Sequence, residues 1–165
     1  MDARVTQELA GSERFLLGLG VSKIFMKHAG IGEGARPRTA VVEALQIVRQ
    51  ILDGDEVTFE GKEFTALVPA LRADAETPRG SVPLYVAGTL PRIQRSAGEH
   101  ADGLLTPSIT TPPFVRYARE RLAEGAALSG RDPDEIDVGC TIVASIDEDR
   151  DRGRDGAREI AGMYL

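Results

Sequence analysis

Val82-Pro-Leu-Tyr-Val-Ala-Gly88 runs directly into Thr89-Leu-Pro-Arg92, and this junction decides the fold. The first segment is an apolar run that opens with Pro83, a position where a strand loses no hydrogen-bond donor from its ladder. In the second segment, Thr89 is typical of a helix N-cap and Pro91 is typical of the first helical turn. The junction therefore predicts a strand that passes directly into a helix.

The same pattern of a strand followed by a helix recurs along the chain. Short apolar runs predict the strands, and apolar residues at helical spacing predict the helices. The helix at 36–53 is the clearest, because Gly54 supplies its stop. The other predicted elements are a helix at 2–10 stopped by Gly11, a small hairpin or extended excursion at 57–64 around Gly61, strands at 15–19, 84–86, 103–105 and 138–143, and helices at 112–128 and 147–164.

Strands that alternate with helices at this spacing favour an α/β fold, with a parallel sheet and flanking helices. Doubly wound sheets and (β/α)8 barrels share the alternation, so it does not choose between them. A complete eight-unit barrel needs about 250 residues, whereas the 165 residues of this chain hold about four or five units. We expect a single domain over residues 1–165, with a surface loop at 69–81.

The composition narrows the possible partners. The formal net charge is −6 and the pI is near 5.0, without the clusters of Lys and Arg that hold a phosphate backbone. Cys140 is the single cysteine, so we expect no disulfide framework, no Cys/His metal cluster and a cytoplasmic protein. The N-terminus lacks the pattern of a signal peptide, and no apolar run reaches the length of a membrane span. A small-molecule partner is favoured over nucleic acid or membrane.

Candidate ligand-binding residues lie at the carboxyl ends of the predicted strands, where α/β proteins bind ligands. Gly18 and Gly20 end a predicted buried strand in a tight turn, and the lack of a Cβ would let a flat ring lie against the main chain. Ala87 ends the next strand, and Gly88 and Thr89 would then offer free amides and a hydroxyl at a helix start. That arrangement suits an anion.

Thr106 and Ser108 add hydroxyls from the neighbouring strand end, so one phosphate could be held from two sides. The competing interpretation is that the glycines only form a turn and the hydroxyls only cap helices. His28 and His100 are the only imidazoles and have no catalytic or metal-ligand spacing around them. Because His100 and Asp102 precede a predicted strand, we expect them at the end of the sheet opposite the site, and no catalytic residue is assigned.

Five segments follow one another in a set order: Arg14-Phe-Leu-Leu-Gly-Leu-Gly-Val-Ser22, Ala44-Leu-Gln-Ile-Val-Arg-Gln-Ile-Leu-Asp-Gly54, Val57-Thr-Phe-Glu-Gly-Lys-Glu-Phe64, Val82-Pro-Leu-Tyr-Val-Ala-Gly88 and Ala97-Gly-Glu-His-Ala-Asp-Gly103. In this order they resemble the luciferase-like monooxygenases over nearly the whole chain. The resemblance is closest to the branch of F420-dependent oxidoreductases that includes methylenetetrahydromethanopterin reductase. Each segment alone is a weak signal, but the ordered set is specific.

The resemblance implies a partial TIM-like barrel that lacks counterparts of the first three βα units and of the last strand. It also implies coenzyme F420 or FMN at the C-terminal face. Gly88, Thr89 and Thr106, with Ser108, would hold the phosphate, and Gly18 and Gly20 would border the ring. The implied activity is hydride transfer to, or monooxygenation of, a small organic substrate. Because the missing units supply part of the family's pocket, no general base is carried over to this chain.

Two other functions stay open from the sequence. One is a non-catalytic remnant or association subunit that retains a phosphate-binding pocket. The other is an unrelated α/β enzyme that binds a phosphorylated metabolite, since one fold hosts many functions. An open parallel sheet with uncovered strands also favours pairing with another chain, so we expect a homo-oligomer or association through the sheet edges.

Overall fold

The computed structural model describes residues 2–11, 14–21, 36–70, 82–108 and 110–162. His28, most of the predicted loop at 69–81 and the end of the predicted last helix lie outside these ranges. The described elements, in chain order, are α1 (Asp2–Ala10), β1 (Leu17–Gly20), α2 (Pro37–Leu52), β2 (Val57–Glu60), β3 (Thr65–Val68), β4 (Leu84–Ala87), α3 (Pro91–His100), β5 (Gly103–Thr106), α4 (Pro112–Ser129), a short 3-10 helix (Pro133–Glu135), β6 (Asp137–Cys140) and α5 (Arg150–Gly162).

Four strands form one parallel sheet in the order β1-β4-β5-β6. The predicted α/β class, parallel sheet and strand order are confirmed. Strand β6 is shorter than the predicted 138–143, because its neighbour β5 ends at Thr106. Cys140 pairs with Thr106, and the amide of Thr141 donates the last bond to the Thr106 carbonyl at 3.2 Å. Beyond that point no neighbouring strand remains, within the described ranges, to continue the ladder.

One face of the sheet carries the hydrophobic core. Leu84, Val86 and Leu104 are fully buried there, and helices α2, α3 and α4 supply most of the other residues of the same cluster. The prediction of a buried first strand that turns at its glycines is wrong. Gly18 and Gly20 lie inside β1 and are exposed, whereas Leu17 and Leu19 are partly buried against the core. Successive residues of a strand face opposite sides, and the core packs against only one side.

The predicted hairpin forms, but its second strand begins at Thr65, after the predicted 57–64. Residues 61–64 make the turn instead, and a buried carboxylate on α2 holds that turn. Glu43 accepts the backbone N–H groups of Lys62, Glu63 and Phe64 at 2.7, 2.9 and 2.9 Å. Burial alone raises the pKa of Glu43, but the three N–H donors and the Lys62 charge outweigh it, so the pKa lies below its ordinary value of 4.5.

Glu43→Gln is expected to loosen the hairpin and lower the thermal stability at neutral pH, because one amide oxygen replaces a carboxylate that accepts three bonds. A depressed folded pKa contributes stability above the unfolded pKa, and this contribution is lost as the pH falls through the folded value. The stability gap between wild type and variant should therefore close in acid. Thermal melts of both proteins across pH would measure it, and faster amide exchange at residues 62–64 should accompany the loss. A gap that stays constant with pH would contradict the carboxylate's role.

Charged side chains tie the amino-terminal ends of the strands together. Asp102 accepts the Leu84 amide at 2.8 Å and pairs with Arg49, which also donates to the Val82 carbonyl at 3.2 Å. Arg131 donates to the Ala101 carbonyl at 2.6 Å. Asp102 thus stabilises the end of the sheet where β5 starts. Its position before that strand predicts this location, at the end opposite the candidate site.

Candidate functional site

A cleft of about 340 Å³ lies at the carboxyl ends of β4, β5 and β6. This is the edge of a parallel sheet where α/β proteins bind ligands. Four of the predicted site residues meet here: Ala87, Gly88, Thr89 and Thr106. The remaining lining residues are Val21, Leu90, Ile93, Leu105, Pro107 and Thr141.

Gly88 is needed by the packing of this cleft. A Cβ at Gly88 would lie 2.5 Å from Cγ2 of Ile93, so only glycine lets the first turn of α3 approach the end of β4. The prediction that the Gly88 amide is free is wrong. This N–H donates to the Leu105 carbonyl at 3.3 Å and extends the ladder between β4 and β5. Gly88 shapes the cleft, and its amide belongs to the sheet.

Helix α3 starts one residue later than predicted. Its N-cap is Leu90, not Thr89, because Pro91 takes the first helical position and the residue just before it becomes the cap. No side chain of the described residues caps this helix. Helix α4 differs, since the Thr111 hydroxyl accepts the Phe114 amide. The first turn of α3 lies beside the cleft and favours an anion through the helix dipole, although Pro91 has no N–H and the Ile93 amide donates to the Leu90 carbonyl at 2.9 Å.

Thr89 is exposed, and its hydroxyl has no hydrogen-bond partner among the described residues. Thr106 differs: it is 1% exposed, and its hydroxyl donates to the Gly139 carbonyl at 3.1 Å and accepts from Thr110 at 2.9 Å. Contact with a phosphate would require Thr106 to give up the bond to Gly139. The proposed binding role of Thr106 stays a prediction, and the structure adds a second role in joining β5 to β6.

Thr141 also lines the cleft and is not among the predicted site residues. It directly follows β6 and is exposed, and its hydroxyl has no partner in the part of the chain that the structure describes. The predicted strand ran on to residue 143, which placed Thr141 inside a strand. Only the length of β5 shows that the strand stops before Thr141, so no local signal in the sequence identifies this residue.

Three predicted residues lie outside the cleft lining. Gly18 and Gly20 are on the face of the sheet away from the core. Gly20 is paired with Ala87, and a Cβ added at Gly20 would lie only 3.1 Å from the Ala87 Cβ. Ser108 is half-buried just after Pro107. The next residue after β1, Val21, does line the cleft, so β1 approaches it from the side. The roles of these three residues stay predictions.

His100 lines a second cleft of about 330 Å³ with Arg38, Glu99 and Lys62, between α2, α3 and the hairpin turn. Burial lowers the pKa of His100; Glu99 raises it, and Arg38 and Arg131 lower it further. His100 does not line the cleft at the carboxyl ends of the strands. In the described ranges, no three His, Cys, Asp or Glu residues come together as a set that could hold a metal ion. None of the described helices is long and apolar enough to cross a membrane.

The family model for luciferase-like monooxygenases matches residues 6–164. The chain belongs to this family. It is similar to 5,10-methylenetetrahydromethanopterin reductase of Archaeoglobus fulgidus, with 30% identity over 159 residues that make up 96% of this chain and 46% of the relative. It is also similar to F420-dependent glucose-6-phosphate dehydrogenase of Nocardia farcinica, with 28% identity over 92% of this chain and 46% of the relative.

The solved structure of an F420-dependent secondary alcohol dehydrogenase in complex with an F420-acetone adduct is similar in fold. The match has a TM-score of 0.78 and 27% identity, and covers 99% of this chain and 49% of that chain. The chain therefore spans about half the length of the relatives it matches. This agrees with the partial barrel implied by the sequence resemblance, because a four-stranded parallel sheet is half of an eight-stranded barrel.

Proposed function

We propose that this chain binds coenzyme F420 at the cleft between the ends of β4, β5 and β6, as part of an oxidoreductase that acts on a small organic substrate. One observation carries the proposal: the N-terminus of α3 and two exposed threonines, Thr89 and Thr141, line one cleft at the carboxyl edge of a parallel sheet. Relatives named as F420-dependent enzymes support F420 over FMN.

The residues present fit a phosphate with an adjoining apolar chain. The hydroxyls of Thr89 and Thr141 and the first turn of α3 would hold the anion, while Ile93 and Leu105 would line its apolar side. The glycine face of β1, Gly18 and Gly20, is open to a flat ring. When bound, F420 supplies the hydride chemistry, and this chain's residues bind and orient it.

The residues that line the cleft also favour a second function, that of a non-catalytic binding subunit. No ionisable side chain lines the cleft among the described residues. The cleft can therefore bind an anion but cannot supply a general acid or base from its own wall. This favours the alternative of a non-catalytic binding or association subunit that retains the phosphate pocket. If the chain instead belongs to an oxidoreductase, the acid or base of the reaction must come from groups outside the cleft.

Thr89→Ala is expected to weaken F420 binding by about ten- to a hundredfold, because a hydrogen bond to a charged group contributes roughly 1.5 to 3 kcal/mol. Isothermal titration of the protein with F420, with FMN and with inorganic phosphate would measure the affinities. Thr58→Ala is the matched control, since Thr58 is an exposed threonine on β2. It should leave the affinity unchanged.

Thr106→Ala in the same titrations tests the role proposed for the buried hydroxyl. A loss of F420 affinity of similar size is expected if Thr106 exchanges its Gly139 bond for the phosphate, and the melting temperature of the free protein should fall as well, because the buried bond between Thr106 and Gly139 is lost. No loss would remove Thr106 from the site. Equal affinity of wild type and Thr89→Ala would remove the anion site from this cleft, and no measurable binding of F420 by the wild type would overturn the proposed function.

The proposal also includes self-association through the open edges of the sheet and a cytoplasmic location. The first is supported by the two edge strands, β1 and β6, each of which has a neighbour on one side only within the described chain. The second is supported by the single free cysteine, Cys140, because stable cytoplasmic proteins rarely rely on disulfides.

A further inference from the structure

The second cleft, which His100 lines, is formed by elements inside the described fold and not by its edges. Helices α2 and α3 precede and follow β4, an inner strand of the sheet, and the hairpin contributes Phe59 and Lys62. No residue of the edge strands β1 and β6 lines this cleft. Its volume of about 330 Å³ is within the range of sites for small molecules. The two clefts share no lining residue, so this one is independent of the site proposed for F420.

Arg38 reaches from α2 to α3 and is held there by a buried hydroxyl. Its Nε donates to the Ser96 hydroxyl at 2.8 Å, and that hydroxyl donates to the Arg92 carbonyl at 3.0 Å. Ser96 is fully buried, whereas the Arg38 side chain is 50% exposed. The buried anchor therefore fixes the direction of a guanidinium that still has N–H donors to offer a ligand.

The two carboxylates of the lining already have donors. Glu43 accepts the three backbone N–H groups of the hairpin turn. Glu99 lies 3.9 Å from Nη2 of Arg38 and 3.5 Å from Nε2 of His100. The Lys62 ammonium, in contrast, makes no ion pair within the described ranges. The groups of this cleft that are left to bind a ligand are therefore mainly charged donors, and these favour an anion.

We propose that this cleft binds a small organic oxyanion, a phosphate or a carboxylate attached to an apolar group. Arg38 and Lys62 lie on two different elements and donate to its oxygens, and charged donors bind oxyanions more strongly than neutral donors do. Val42 and Phe59 supply apolar surface for the rest of the ligand.

His100 links this site to pH. In the free protein, burial lowers the pKa of His100, Glu99 raises it, and Arg38 and Arg131 lower it further. A bound anion favours the imidazolium and so raises this pKa. By linkage, the affinity for the anion should rise as the pH falls through the pKa of His100 in the complex, and level off below its pKa in the free protein. The formal charges of the other groups in the lining cancel, so a proton on His100 makes the cleft positive: Arg38 and Glu43 on α2, Lys62 on the hairpin turn and Glu99 on α3.

NMR of the imidazole signals would test the site on the chain as it stands. The chain has two histidines, and His100→Gln identifies the His100 signals by their loss. Phenyl phosphate and benzoate should shift these signals to saturation and bind more tightly than inorganic phosphate. The pKa of His100 should rise at saturation. Benzoate is the probe for the pH dependence, because a carboxylate stays ionised above its pKa of about 4. Tighter binding of phenyl phosphate would assign a phosphate ligand, and tighter binding of benzoate a carboxylate ligand.

Lys62→Gln should weaken binding of the tighter organic anion by about tenfold, because it removes one charged donor. Lys62 is exposed, and its backbone N–H to Glu43 is kept, so the hairpin turn is retained. Arg119→Gln is the matched control. It removes the same charge from an exposed residue of α4 that does not line the cleft, and it should leave the affinity unchanged.

Four results would overturn this anion site. They are the absence of any shift at His100 with all three probes, inorganic phosphate that binds as tightly as both organic anions, an affinity that Lys62→Gln leaves unchanged, and an affinity that Arg119→Gln weakens equally. The shift and the pKa of His100 are measured on the wild-type protein, so the site stays testable even if a variant fails to fold.

Discussion

Gly125→Ala is expected to lower the free energy of unfolding by about 2 to 4 kcal/mol. Gly125 lies where α4 crosses α3, and a Cβ there would overlap the Arg95 carbonyl oxygen. Alanine gains about 1 kcal/mol over glycine in a helix interior, but the overlap is with backbone, which cannot turn aside as a side chain can. The steric overlap therefore outweighs the gain in helix propensity, and the two helices must move apart.

Thermal or urea unfolding would measure this loss, and for a chain of this size it corresponds to roughly 10 °C in Tm. Gly98→Ala should behave alike, since a Cβ at Gly98 would overlap the Leu122 carbonyl oxygen. Gly153→Ala on α5 is the matched control. A Cβ there meets its nearest atoms at 3.7 Å, an ordinary contact, so only the gain in helix propensity remains. A stability loss in Gly153→Ala equal to that in Gly125→Ala would contradict the crossing as the cause.

Gln94→Leu is expected to raise the free energy of unfolding by about 2 to 3 kcal/mol. Gln94 is fully buried on α3, and neither its Oε1 nor its Nε2 has a hydrogen-bond partner in the described chain. Leucine has a similar size and no polar atoms, so it removes two unmet hydrogen-bonding groups without opening a cavity.

Urea unfolding at constant m-value would measure the gain. Gln50→Leu is the control, because Gln50 is a helical glutamine whose Nε2 donates to the Gln46 carbonyl at 3.1 Å in an exposed setting. It should change stability by less than about 0.5 kcal/mol. A destabilised Gln94→Leu protein would show that water or another group satisfies the buried amide, and that Gln94 stabilises the fold instead of weakening it.

Much of the fold could be predicted from local patterns. The strand around Tyr85 and the helix after it follow from an apolar run, a glycine and Pro91, because these residues constrain the backbone wherever they occur. The parallel sheet follows from the repeat of that pattern. The bounds of β6 could not be predicted, since its length is set by Thr106 on another strand.

The candidate site, too, could be predicted from the sequence only in part. Ala87, Gly88, Thr89 and Thr106 could be placed at one edge of the sheet, because parallel strands that precede helices end on the same side. Which hydroxyls are open could not be predicted. The Thr106 hydroxyl is engaged by Gly139, 33 residues away, while Thr141 is brought to the cleft by the end of a distant strand.

The sequence by itself determined the α/β class, the order of elements and the family to which the chain belongs, because these depend on apolar spacing and on glycine and proline positions along the chain. Only the tertiary structure decided which face of the sheet is covered, that β1 is exposed on every second residue, and that Glu43 holds the hairpin turn. Burial and hydrogen bonding between distant residues depend on which surfaces come into contact. Those contacts form only when the helices pack on one side of the sheet, so local sequence patterns do not predict them.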